Sequence, residues 1–123
     1  MKQALVVDDS RAMRMILSKT LVDSGFEVRQ AGNGQDALDV LEREGGSISL
    51  MLADWNMPVM SGIELVQAVR ARAAWQHIRI VMVTTETEIE QMSRALTAGA
   101  DEYVMKPFTR EVVEDKLRLI GAL

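Results

Sequence analysis

The sequence predicts an open α/β fold, a parallel sheet of five strands with helices on both of its faces. Three observations carry this. Five short apolar runs alternate with five stretches of helical periodicity along the 123 residues, the pattern of repeated strand–helix units. The chain between successive runs is long enough for a crossover helix and too long for a hairpin, so the strands run parallel. Runs 4–7, 50–53 and 80–83 are apolar at every position, as central strands covered on both faces must be.

Each element has its own justification. The first strand is expected at 3–7 and stops at two aspartates. On the helix that follows, Met13, Ile16, Leu17 and Leu21 share a face, with Ser10 as N-cap and Gly25 as the stop. The second strand, 26–31, alternates at Phe26-Glu27-Val28-Arg29 and reads as an edge. Its helix carries Ala37, Leu38 and Leu41 and ends at Gly45-Gly46. A third strand at 48–53 leads to a helix with Leu65, Val66 and Val69. The fourth, at 78–83, is followed by the capping-box pattern Thr85-x-x-Glu88 and a helix with Ile89, Met92 and Leu96, closed by Gly99. The fifth, at 102–105, is half polar at Glu102-Tyr103 and reads as the other edge. Thr109 then opens a last helix carrying Val113, Leu117 and Ile120.

Composition removes whole classes of function. The chain is 48% apolar and 26% charged, which fits one globular domain over 1–123. Its 14 basic residues are scattered against 18 acidic ones, for a net charge of -4, so no nucleic-acid-binding stripe exists. With no cysteine and His77 as the lone histidine, disulfides, thiol nucleophiles and Cys- or His-built zinc sites are excluded. His77 falls at the amino end of the fourth strand and reads as a loop residue. No apolar run is long enough to span a membrane or serve as a signal core, so membrane insertion is not expected and a cytoplasmic location is. The nine methionines read mostly as core filler, with Met57 and Met60 expected near the surface.

The chemistry lies at the carboxyl ends of the strands. The first ends in Asp8-Asp9, the third in Asp54, the fourth in Thr84 and the fifth in Lys106-Pro107. Open α/β sheets bind ligands in the crevice outside those ends. Residues distant in sequence are thereby gathered on one rim. Taken singly, Asp9 and Ser10 would be helix caps and Lys106 a surface lysine; together they form a site. Three carboxylates so placed repel, at about 4 kcal/mol for two charges ~4 Å apart at an effective dielectric of ~20. Either some of their pKa values rise or a cation neutralises the site, and an oxygen-only donor set with room for water and phosphate oxygens suits Mg²⁺ better than Ca²⁺. Lys106 adds a positive charge and Thr84 a hydroxyl, a set that fits a transferring phosphoryl group. Asp54, from a central strand, is the expected nucleophile, with Asp8 and Asp9 holding the metal.

These residues also carry a family resemblance. Val6-Val7-Asp8-Asp9-Ser10, Asp54-Trp55-Asn56-Met57-Pro58 with Gly62, Val83-Thr84 and Tyr103-Val104-Met105-Lys106-Pro107-Phe108 stand in family order across nearly the whole chain. The chain resembles the receiver domain of two-component response regulators, most closely the stand-alone chemotaxis regulators of the CheY type. The resemblance implies a flavodoxin-like sheet in the order 2-1-3-4-5. It implies a phosphoryl group taken up by Asp54 from a histidine kinase or a small donor. Mg²⁺ would be bound by Asp9, Asp54 and the backbone carbonyl of Asn56, with Asp8 acting mainly through water. Lys106 and Thr84 would contact the phosphoryl oxygens. Tyr103 would turn inward and alter the face formed by the fourth helix, fifth strand and fifth helix. The Lys106–Pro107 bond would be cis. Asn56 and Glu86 would tune dephosphorylation. Thr85 departs from the small residue usual there, and its bulk is expected to narrow access and slow those rates.

A phosphatase of the haloacid dehalogenase type also forms an aspartyl phosphate, but it needs Asp-x-Asp after the first strand and an inserted cap. A flavodoxin-like nucleotide binder would place phosphate against Asp8-Asp9, which repel it. The expected protein is therefore a regulator rather than an enzyme, a monomer by the lack of any dimer signature, with no effector domain. It would act on a motor or kinase complex. The alternatives are a shuttle passing phosphate to another histidine protein and a receiver excised from a longer regulator.

Overall fold

The structure, a computed structural model, describes residues 2–85 and 89–123, with every side chain in them except that of Ile89. Five strands, β1 (Lys2–Val7), β2 (Phe26–Ala31), β3 (Ile48–Asp54), β4 (Arg79–Thr84) and β5 (Glu102–Met105), alternate with five helices. The helices are α1 (Arg11–Asp23), α2 (Gly34–Glu44), α3 (Gly62–Arg70), α4 (Ile89–Ala98) and α5 (Arg110–Leu119). All strand pairs are parallel and the order is β2-β1-β3-β4-β5. The alternating strand and the half-polar strand are the two edges, as their patterns predict.

Strand alternation divides the core into two layers. Leu5, Val7, Met51, Ala53, Ile80 and Met82 face α2, α3 and α4. Ala4, Val6, Leu50, Leu52, Val81, Val83 and Val104 face α1 and α5. The helix caps follow the sequence signals. Ser10 accepts from the Met13 N–H and Thr109 from that of Val112, while Ser61 and Glu64 form a full capping box. Gly25 takes φ +101° just past α1, a conformation that suits glycine. Glu88, the second half of the proposed box before α4, lies outside the described residues.

Two residues assigned to helix cores face solvent instead. Ile16 is 52% exposed and Leu96 is 44% exposed. In α1 the buried stripe is Leu17, Ser18, Thr20 and Leu21. The Thr20 hydroxyl donates to the Ile16 carbonyl at 3.2 Å, which lets it lie against the sheet, whereas the buried Ser18 Oγ has no hydrogen-bond partner among the described residues. On α4 the small Ala95 takes the contact position, which turns its neighbour Leu96 outward. A short 3₁₀ turn, Ala73–Trp75, was not foreseen; it buries Trp75 beneath the Arg72 guanidinium, 4.2 Å from the ring centre. His77 lies in the loop before β4, with a ring nitrogen 3.1 Å from the Gly45 carbonyl.

This layout fixes the site. β1, β3 and β4 are neighbours at the centre of the sheet. The chain leaves β1 towards one face through α1 and leaves β3 towards the other through α3, which opens a crevice above their carboxyl ends.

Candidate functional site

Asp8 is the first residue beyond β1, and its N–H donates to the Ala31 carbonyl at 3.1 Å. Its carboxylate is buried and accepts from the Ser10 N–H at 2.8 Å. Asp54 closes β3 in register with Val83 and is 8% exposed. Asp9 is exposed, yet it too offers an oxygen to a cluster in which the three carboxylate atoms lie within 4.8 Å of one another. Lys106 enters from β5. Its N–H donates to the Thr84 carbonyl at 2.7 Å, and its bond to Pro107 is cis. Its ammonium stands between two of the acids, 3.2 Å from Asp8 Oδ2 and 3.3 Å from Asp54 Oδ1.

The charges follow from this geometry. Burial pushes the Asp54 carboxyl above its ordinary value, and the neighbouring Asp8 charge pushes it further. Lys106 and the Trp55 N–H oppose that rise. The rim thus holds a deficit of positive charge which one ammonium only partly fills. The donor set is all oxygen, which fits Mg²⁺. Two oxygens on opposite sides of one Mg²⁺ are separated by about 4.2 Å. A cluster spanning up to 4.8 Å therefore suits a mixture of direct and water-mediated contact.

The other expected site residues surround this core. Thr84 ends β4 and is buried. Asn56 and Thr85 are exposed at the rim loops, while Glu86 lies outside the described residues. Tyr103, on β5, is half-buried with the Lys116 ammonium 4.8 Å from its ring centre. It lines a narrow crevice, too tight to hold a water molecule, with Thr84, Trp55, Met82, Gln91 and Ala95. On its other side it borders an open groove with Pro107, Phe108 and Val112.

The loop after Asp54 holds what the sequence did not disclose. Val59 is 81% exposed at φ +72°, a backbone region that a β-branched residue occupies only under constraint. Met57 and Met60 are half-buried against the α2–α3–α4 layer rather than fully at the surface. Trp55, next to Asp54, is buried in that same layer. Gly62 opens α3 so close beneath the Asp54 carbonyl that a Cβ would collide with it and with the Met82 methyl. Arg14 was also missed. From α1 its Nη1 donates to the Asp8 carbonyl at 2.7 Å.

Comparison with known proteins agrees with this architecture. Residues 4–118 match the response regulator receiver domain. The chain is 43% identical over 114 residues to a chemotaxis protein CheY homolog of Campylobacter jejuni, covering 92% of this chain and 87% of that protein. It superposes on chemotaxis protein CheY4 of Vibrio cholerae with a TM-score of 0.90 and 37% identity, over 98% of each chain. It also superposes on a probable two-component system response regulator/GGDEF domain protein, with a TM-score of 0.86 and 31% identity, covering 98% of this chain and 50% of that one. The chain belongs to the response regulator receiver family.

Proposed function

We propose that this chain is a stand-alone response regulator of the chemotaxis type, switched by a phosphoryl group on Asp54. The observation that carries the reading is the ammonium of Lys106 between buried Asp8 and Asp54, with Asp9 on the same rim. Such a pocket binds a cation and a tetrahedral anion side by side, the arrangement that phosphoryl transfer to a carboxylate requires. The match to a CheY homolog along 87% of its length supports an undivided regulator.

In the proposed step an Asp54 oxygen attacks the phosphorus of a kinase phosphohistidine. The P–N bond breaks, imidazole leaves with the bonding pair, and an acyl phosphate forms on Asp54. Asp9, Asp54 and the Asn56 carbonyl, with Asp8 behind, would hold Mg²⁺, which would supply charge neutralisation for the phosphoryl oxygens. Lys106 transfers its contact from the carboxylates to one of those oxygens, and the Thr84 hydroxyl donates to another. Tyr103 follows Thr84 into the gap beneath α4, which reshapes the α4–β5–α5 face presented to a downstream protein such as a motor or kinase complex. Hydrolysis reverses the switch when water attacks the phosphorus and inorganic phosphate leaves. Asn56, Thr85 and Glu86 set the rate of that hydrolysis. Pro107 shapes the turn that presents Lys106.

A receiver carried within a longer regulator is the second reading, favoured by the GGDEF protein of which this chain matches only half. The test of the main reading is intact mass after incubation with acetyl phosphate and Mg²⁺. One phosphoryl group should be gained by the wild type and none by Asp54→Asn or in chelator. Equal labelling of Asp54→Asn would overturn the assignment of the acceptor. Passage of that group to a histidine phosphotransfer domain would make the protein a relay shuttle instead.

A further inference from the structure

Arg14 lies in the first half of α1, outside the acidic rim, yet its guanidinium reaches back to it. Nη1 donates to the Asp8 carbonyl at 2.7 Å and Nε donates to Gln30 Oε1 at 3.3 Å. Gln30 stands on β2 opposite Val6, and the Asp8 N–H is tied to the adjoining Ala31 carbonyl at 3.1 Å. Asp8 is therefore bound to the end of β2 at both of its backbone polar groups, directly through its N–H and through Arg14 at its carbonyl. The next residue is Asp9. Its carboxylate is exposed and meets no hydrogen-bond donor among the described residues, so the peptide that Arg14 holds sets where Asp9 points.

We propose that Arg14 is a positioning residue for the divalent cation, fixing the Asp8–Asp9 peptide so that the Asp9 carboxylate joins those of Asp8 and Asp54. The inference rests on reading the rim as a Mg²⁺ site. Two effects of Arg14 oppose each other there. As a nearby positive charge it repels a cation; as a clamp it assembles the cation's ligands. A clamp needs the planar, forked guanidinium, because a lysine ammonium is a point donor that cannot span the Asp8 carbonyl and Gln30 in the same way. Charge alone needs only a cation. The two roles therefore give opposite signs on substitution.

The experiment is calorimetric Mg²⁺ titration of the full chain as wild type, Arg14→Lys, Arg14→Ala and Gln30→Ala, each also unfolded by urea in chelator. Positioning predicts a Mg²⁺ Kd raised about tenfold in Arg14→Ala, equivalent to ~1.4 kcal/mol. It predicts a comparable rise in Arg14→Lys and a rise of about two- to threefold in Gln30→Ala, which removes only the outer support. Tighter Mg²⁺ binding by Arg14→Ala with an unchanged Arg14→Lys would show Arg14 to be only a repelling charge, and would overturn the proposal. Lower stability in chelator with an unchanged Kd would overturn it as well, leaving Arg14 a structural residue. If Arg14→Ala does not fold, Arg14→Lys and Gln30→Ala decide the matter. A wild type that binds no Mg²⁺ at millimolar concentration overturns the metal reading itself, an outcome distinct from any difference among the variants.

Discussion

Lys106 is held in place by what it neutralises. Its ammonium is within 3.3 Å of two carboxylates that are themselves buried, and a buried charge that loses its partner is expensive. Lys106→Met should lower the unfolding free energy by about 2–4 kcal/mol in chelator near neutral pH, measured by urea denaturation. Mg²⁺ should return part of that loss, because it binds only the folded rim. Equal stability of variant and wild type in chelator would mean that Lys106 does not neutralise the pair. At this scale the sequence disclosed Asp8, Asp9, Asp54, Thr84 and Lys106 because each ends an apolar run, and the fold alone then gathers them. Arg14 left no such mark. It sits within a helix, where arginine is an ordinary surface residue, and its key partner is a backbone carbonyl. Trp55 follows Asp54 directly, and the chain leaving β3 turns its indole into the buried layer on the α2, α3 and α4 side of the sheet.

The β3–α3 junction shows how an element sets the site's backbone. The first turn of α3 presses on the Asp54 carbonyl at Gly62, where a Cβ would also lie 2.6 Å from the Met82 methyl. Gly62→Ala should cost about 1–3 kcal/mol through overpacking. It should also slow phosphorylation by acetyl phosphate, because relief of the clash displaces the Asp54 backbone. Gly46→Ala provides the control. A Cβ at Gly46 meets nothing within 4 Å, so its stability should stay within about 0.5 kcal/mol of wild type. Equal stability and equal labelling rates for the two variants would show that the contact at Gly62 is without consequence. Helix existence, caps and strand edges were legible here because periodicity and capping residues act locally. Helix rotation was less so. Ile16 and Leu96 fit an apolar stripe, but Thr20 and Ala95 took the contact positions through a hydroxyl bonded to its own helix and a small side chain. Val59 was illegible for a related reason. Valine gives no local signal for a positive φ, so the surrounding loop must impose it.

For the molecule as a whole, the acidic rim couples folding to pH and to cation. Burial and the Asp8 charge raise the Asp54 pKa above its ordinary 3.8. The unfolded chain therefore releases this proton at a lower pH than the folded one. Below 3.8 both states hold the proton and the fold carries no penalty from Asp54. As pH climbs from there through the raised folded value, the unfolded state binds fewer protons and stability falls; above it the loss is complete and constant. Other carboxylates tilt the opposite way. Asp23 and Glu42, held below their ordinary values chiefly by hydrogen bonds from Arg110 and Arg72, favour the fold as pH rises. The Asp54 contribution must therefore be isolated by difference. Asp54→Asn should gain stability relative to wild type in chelator as pH is raised from about 4 to about 7, because the amide carries no charge to desolvate. Millimolar Mg²⁺ should shrink or reverse that gain, since the ion binds the ionised wild-type rim and stabilises it by RT ln(1 + [Mg²⁺]/Kd). Paired urea melts across that range read both effects. A difference in chelator that does not change with pH would show that Asp54 is not strained by burial. A difference that does change, but identically with and without Mg²⁺, would show that the rim's charge deficit is real and that Mg²⁺ is not the ion that fills it.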